Sequence, residues 1–152
     1  MKLNLGCGKD WRSYPGFIGI DIVDFGQEYV DNIERDGLHF HDDGSVEEIM
    51  AFNVLEHIAP DRMIFVMNEC WRVLKMGGKF HIKVPLAPSE NAFSDPTHRS
   101  FWTRKTFTEY FAGGSPRNAN YDIRKWGIMN DGKGNYLMEL SDREIDIWLY
   151  KR

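Results

Sequence analysis

Leu3-Asn4-Leu5-Gly6-Cys7-Gly8, followed by Phe17-Ile18-Gly19-Ile20-Asp21, is the stretch that decides the fold. A short apolar run ending in Gly-x-Gly reads as a strand entering a turn, where the missing Cβ at either glycine lets backbone approach a ligand. Asp21 closes the second apolar run, and a carboxylate at a strand tip can accept hydrogen bonds from both ribose hydroxyls. Together they point to a nucleoside-bearing cofactor at the carboxyl ends of parallel strands. The dinucleotide phrase needs a third glycine at position 11, which is Trp11 here, so a nicotinamide oxidoreductase is disfavoured.

Working outward, apolar runs read as strands at 2–6, 17–22, 49–55 and 79–86, with a weaker one at 28–33. Asp61–Lys75 reads as a helix, started by Pro60-Asp61 and stopped by Gly77-Gly78. Its Met63, Val66, Met67, Cys70, Trp71 and Leu74 recur on one face. A second helix is expected from Thr103, as N-cap, to Phe111, ended by Gly113-Gly114. Asp131-Gly132-Lys133-Gly134 has hairpin-turn chemistry, and Glu144 to Tyr150 alternates as a last strand. This order implies an α/β fold, a mostly parallel sheet closed by antiparallel C-terminal pairing, with residues 1–152 as a single domain.

Two details modify that fold. Only Lys9 to Gly16 separate the glycine turn from the second strand, and a helical crossover needs a dozen or more residues, so the first crossover helix is reduced or absent. Lys79-Phe80-His81-Ile82-Lys83-Val84 alternates polar and apolar, unlike a strand covered on both faces. One face of the sheet should therefore be thinly covered, shielded by a partner subunit in a homodimer or by the chain's own aromatic residues.

Composition restricts function. The net charge of −4 argues against a general nucleic-acid surface. No apolar run has the length of a membrane span, and the first strand starts almost at Met1, leaving no room for a signal peptide. Cys7 and Cys70 read as small buried thiols rather than a disulfide, and a cytoplasmic location is the expectation.

With these elements in order, Leu3–Gly8, Asp21 and Asn53-Val54-Leu55-Glu56-His57-Ile58 together resemble the small class I S-adenosylmethionine-dependent methyltransferases. The helix, then Gly77-Gly78-Lys79-Phe80-His81-Ile82-Lys83-Val84-Pro85, and Asp95-Pro96-Thr97-His98-Arg99-Ser100-Phe101-Trp102-Thr103 are similar to later phrases of that family. The resemblance covers roughly residues 2–112. It implies a Rossmann-like sheet of seven strands with the last reversed, and S-adenosylmethionine across the strand carboxyl ends. By the same resemblance, Gly6 and Gly8 border the methionine part of the cofactor, Asp21 takes the ribose hydroxyls, and Asn53 and His57 line the pocket. Asn32 stands where the family usually has an aspartate near the adenine, a departure that leaves the adenine contact open.

Methyl transfer from a sulfonium is an in-line displacement, so the protein chiefly aligns acceptor, methyl and sulfur and excludes water. A base is needed only for a hydroxyl or a protonated amine. His98, helped by Asp95, is the candidate base; its other reading is a structural lid, with Asp95 capping a turn and His98 packed on Trp102. Glu56-His57 also reads as the polar end of a strand, and Arg99 either as an anion-binding group or as a solvated surface charge. His39-Phe40-His41-Asp42-Asp43 looks like a metal cluster, but the following Asp-Asp-Gly-Ser is turn chemistry, and no metal centre is expected. The phrases of DNA methyltransferases, Pro-Pro-aromatic after the fourth strand or a Pro-Cys nucleophile, are missing, and DNA is not the expected acceptor. The functional expectation is methyl transfer to a small-molecule, carrier-bound or glycan acceptor, the alternative being a non-catalytic cofactor-binding or scaffold module.

Overall fold

A computed structural model describes residues 1–113 and 120–152. Five parallel strands come first: β1 (Lys2–Leu5), β2 (Ile18–Asp21), β3 (Tyr29–Val30), β4 (Val46–Phe52) and β5 (Leu74–Pro85). Then follow β6 (Trp126–Ile128), β7 (Met138–Leu140) and β8 (Glu144–Lys151). The lateral order is β3-β2-β1-β4-β5-β8-β6, with β8 antiparallel to β5. β6 and β7 both pair antiparallel with the same strand, at Leu149–Lys151 and Ile145–Ile147 respectively. They therefore act as one interrupted edge strand. The Asp131 turn is an excursion within it, closed by Asp131 N donating to Asn135 O at 3.0 Å and by an Asn130–Tyr136 bridge.

Three helices form: α1 (Ile33–Asp36), α2 (Met63–Val73) and α3 (Glu90–Ser94). The crossover after β1 holds only a 3-10 turn, Trp11–Ser13, as its length requires. Neither α1 nor α3 is legible as an apolar stripe, because one turn has no periodicity to show; their polar caps, Asn32 and Ser89, are the available signals. The second expected helix starts on a reciprocal Thr103–Thr106 pair of bonds (3.1 and 3.3 Å) and is wound as a π-helix over Thr106–Phe111. Its expected stop includes residue 114, which lies outside the described residues.

The boundaries of α2 and β4 differ from the sequence expectation. α2 ends at Val73 rather than Lys75, because Leu74 is fully buried and enters the sheet opposite Val46. Gly77-Gly78 then fall in the register shift before Lys79 rejoins at Glu48. β4 begins and ends three residues before the expected 49–55. Glu47 and Glu48 belong to it although polar, since Lys75 (3.0 Å) and Lys2 (2.8 Å) neutralise them. Asn53, at φ 55°, breaks the strand before the Val-Leu-Glu-His phrase.

Core and bare face follow from alternation. Leu3, Leu5, Ile49, Ala51, Phe80, Ile82, Val84, Ile145, Ile147 and Leu149 form one face with no exposure, in a single cluster with Val66, Met67 and Cys70 of α2 and with Phe107 and Phe111. The opposite face carries no long helix among the described residues and is covered by rings and ions. His81 stacks on Trp148 (centroids 3.9 Å apart) and meets the edge of Phe52 at 4.7 Å. Lys83 and the His81 Nε2–H both donate to Asp146, at 2.9 and 2.6 Å. The thinly covered face thus has an aromatic and ionic shield built from the chain itself.

Asp146 makes this shield pH-sensitive. Burial pushes its pKa up, but the bonds from Lys83 and His81 outweigh burial and hold the carboxyl below its ordinary 3.8. A depressed carboxylate contributes its stability in full above the unfolded value and loses it as pH falls through the folded one. Asp146→Asn should therefore cost about 1–2 kcal/mol at pH 7, and the difference from the native chain should shrink as pH falls below 3.8. Urea unfolding of both proteins across pH 7 to 3 reads this directly.

Candidate cofactor site

β1, β2 and β4 end side by side, and three breaks in the chain open a cleft there. Gly6 turns at φ 58°, Asn53 at φ 55°, and Asn32 caps α1, its Oδ1 accepting from Glu34 N at 3.0 Å and Arg35 N at 3.1 Å. The cleft has a volume of about 420 Å³ and is lined by Gly6, Asp21, Asn32, Asn53 and His57, with Ile22, Asp31 and Arg99 among the remaining residues. Five of the six sequence-derived cofactor candidates thus meet in one cavity.

The sixth, Gly8, is adjacent and acts through its backbone. Its N–H donates to Asp21 Oδ2 at 2.8 Å, and Asp21 Oδ1 accepts from Val23 N at 3.0 Å. Asp21 therefore ties the glycine turn to the end of β2 with one lone pair on each oxygen, and each oxygen keeps a second for a ligand. Cys7, between the glycines, is buried, and burial together with the nearby Asp21 carboxylate raises its thiol to about 11. It stays protonated and is packing, not a nucleophile.

The loop after α3 is held against the turn Leu55–His57. Arg99 N (2.7 Å) and Ser100 N (3.0 Å) donate to Glu56 O, and Ser100 Oγ donates to Leu55 O at 2.9 Å. Arg99 also reaches Glu34 of α1 at 3.0 Å, closing an ion pair across the cleft mouth; the sequence offered no reason for that partner. Asp95 caps its turn by accepting from Thr97 N (2.8 Å) and Oγ1 (2.6 Å), and those bonds hold its carboxyl below the ordinary range. His98 does not line the cleft, and its ring lies 5.0 Å from that of His57 rather than on Trp102, which stacks on Phe107 instead. His39 and His41 diverge: His39 packs on Phe40 at the surface, while His41 is buried at the edge of Tyr29.

Comparison with known proteins agrees with the fold. A family model described as a methyltransferase domain matches residues 19–82. The chain has the Rossmann-like fold of class I methyltransferases. A SAM-dependent methyltransferase from Archaeoglobus fulgidus shares the fold at TM-score 0.66 and 17% identity, over 99% of this chain and 85% of that one. The 1,6-didemethyltoxoflavin-N1-methyltransferase of Burkholderia thailandensis, solved with 1,6-didemethyltoxoflavin and S-adenosylhomocysteine, aligns at TM-score 0.63 and 11% identity, over 99% of this chain and 70% of that one. The YcgJ protein of Bacillus subtilis aligns at TM-score 0.59 and 16% identity, over 99% and 91%. Among curated proteins no sequence matches significantly. Among the described residues no helix is long and apolar enough to cross a membrane.

Proposed function

We propose that this methyltransferase domain methylates a small-molecule acceptor, free or presented on a carrier or glycan, with S-adenosylmethionine in the cleft between β1, β2 and β4. The observation that carries the reading is the convergence of Gly6, Asp21, Asn32, Asn53 and His57 on that single cavity. Gly6 and Gly8 admit the methionine part, and Asp21 takes the ribose hydroxyls with its remaining lone pairs. Asn32 keeps its amide N–H group for the adenine because its oxygen is spent on capping α1. Asp31, one residue earlier in the same wall, supplies the carboxylate that the Asn32 position lacks.

The cofactor brings the electrophilic carbon, so the chain's task is alignment and exclusion of water. The acceptor enters past the loop 95–100, where His57, Asp95 and His98 offer polar groups beside the cleft. With Nδ1 bonded to Ala92 O at 3.0 Å, neutral His98 presents the lone pair of Nε2 to an acceptor. Calorimetric titration with S-adenosylhomocysteine should give one-to-one binding, and an acceptor panel should release that product from S-adenosylmethionine. Binding with no release across the panel favours the non-catalytic module; no binding overturns both readings.

A further inference from the structure

The least satisfied polar group near the cleft is Glu56. Its side chain is 2% exposed, burial raises its pKa, and Oε2 has no hydrogen-bond partner. A buried carboxylate left in this way is costly unless something of opposite charge belongs beside it. Two histidines flank it: a carboxylate oxygen of Glu56 and one ring nitrogen each from His57 and His98 lie within 4.8 Å of one another.

The tautomers of both rings are dictated by their neighbours. Thr97 Oγ1 gives its proton to Asp95 Oδ1 at 2.6 Å, so the His57 Nδ1 at 3.1 Å from that hydroxyl and 3.2 Å from Thr97 O must be the donor. His98 Nδ1 likewise donates to Ala92 O. Each ring therefore offers Nε2 as a lone pair, with its N–H anchored on a backbone carbonyl, the outer bond by which metal-ligating imidazoles are oriented. In the neutral ring, the lone pair of His98 Nε2 stands 3.7 Å from Asp95 Oδ2, an unfavourable pairing that a cation between them would reverse. The bonds from Arg99 N and Ser100 N to Glu56 O hold the two segments in place, so the donor set is formed before any ligand arrives.

We propose that Glu56, His57 and His98 form a divalent-cation site, with Asp95 beside it, that presents an acceptor oxygen to the cofactor methyl. Two imidazoles and a carboxylate suit zinc or manganese and leave coordination positions open. His57 belongs both to this cluster and to the cofactor cleft, which places the ion at the acceptor side. With the His98 Nε2 lone pair bound to the ion rather than acting as the base, a coordinated hydroxyl loses its proton to solvent. Its oxygen then bonds the methyl carbon as the carbon–sulfur bond breaks and leaves its electron pair on sulfur. The inference rests on the proposed methyl-transfer reading and narrows the acceptor to an oxygen ligand, such as a phenol or a diol. It also differs from the sequence expectation of no metal centre, in which the stretch His39 to Asp43 reads as turn chemistry.

Titration of chelator-treated protein with zinc, and separately with manganese, tests it. Saturable one-to-one binding is expected, weakened at least about tenfold in His57→Ala, His98→Ala and Glu56→Gln but not in His39→Gln. His98→Ala should bind S-adenosylhomocysteine as the native chain does, since His98 lies outside the cleft. Catechol should bind the zinc-loaded protein and not the zinc-free one. Absence of one-to-one metal binding, or binding that survives His98→Ala, overturns the site while leaving the cofactor reading to its own titration. Catechol binding that ignores zinc overturns the acceptor role. Circular dichroism identifies any unfolded variant, and if Glu56→Gln is one, His98→Ala decides.

Discussion

Asp21→Ala should weaken S-adenosylhomocysteine binding by about 1.5–3 kcal/mol, or roughly 10- to 150-fold, the range for losing a hydrogen bond to a charged group. The structure adds a second reason for a large effect. The same carboxylate accepts from Gly8 N and Val23 N, so alanine removes the ribose acceptor and the tie that shapes the glycine turn. Asp21→Asn separates the two, because an amide oxygen can replace only one of the two acceptors. It should fall between the native chain and alanine in affinity, while its thermal midpoint should stay closer to the native value. Calorimetry and thermal unfolding on the three proteins check both parts; unchanged affinity in Asp21→Ala removes Asp21 from the cofactor contact.

Gly6→Ala is expected to be more damaging still. A Cβ built there overlaps Val54 Cγ2, lies 2.9 Å from Val54 Cβ, and sits on a residue at φ 58°. The overlap amounts to overpacking by a methyl, about 1–3 kcal/mol, and the left-handed backbone adds about 1–2 kcal/mol. For a chain of this size each kilocalorie is worth about 2–4 °C, so a loss of roughly 5–15 °C in midpoint is expected, with cofactor binding abolished. Gly8→Ala is the control: its φ is similar at 59°, but nothing lies within 4 Å of the added carbon, so only the backbone cost applies. Val54→Ala introduced with Gly6→Ala should relieve the overlap with Cγ2, leaving the 2.9 Å approach to Cβ and the backbone part. Equal midpoints for the two alanine variants would show that Val54 is not the cause.

The contrast between the glycines shows what a motif conveys. Gly-x-Gly signals a turn that a Cβ would obstruct, yet it does not say which glycine faces protein and which faces open space. That depends on Val54, almost fifty residues later, and on the left-handed Asn53 that delivers it. Asn32 teaches the same lesson. The missing aspartate was legible, but not that Asn32 would spend its oxygen on α1 while Asp31 lines the cleft beside it.

The chain's local patterns were sufficient for the mostly parallel sheet, the missing first helix and the bare sheet face. Each depends on alternation or on a segment length, which are properties of neighbouring residues. They also placed Gly6 and Asp21 at the cleft, because strand tips in such a sheet converge by topology, whereas Asn32, Asn53 and His57 followed from the family resemblance. Only the tertiary structure decided how polar groups from distant segments pair. His98 with His57, Arg99 with Glu34, and Glu56 Oε2 without a hydrogen-bond partner all depend on where the loop 95–100 settles. Loop placement is set by a few long-range backbone bonds, and those leave no periodic trace in the sequence.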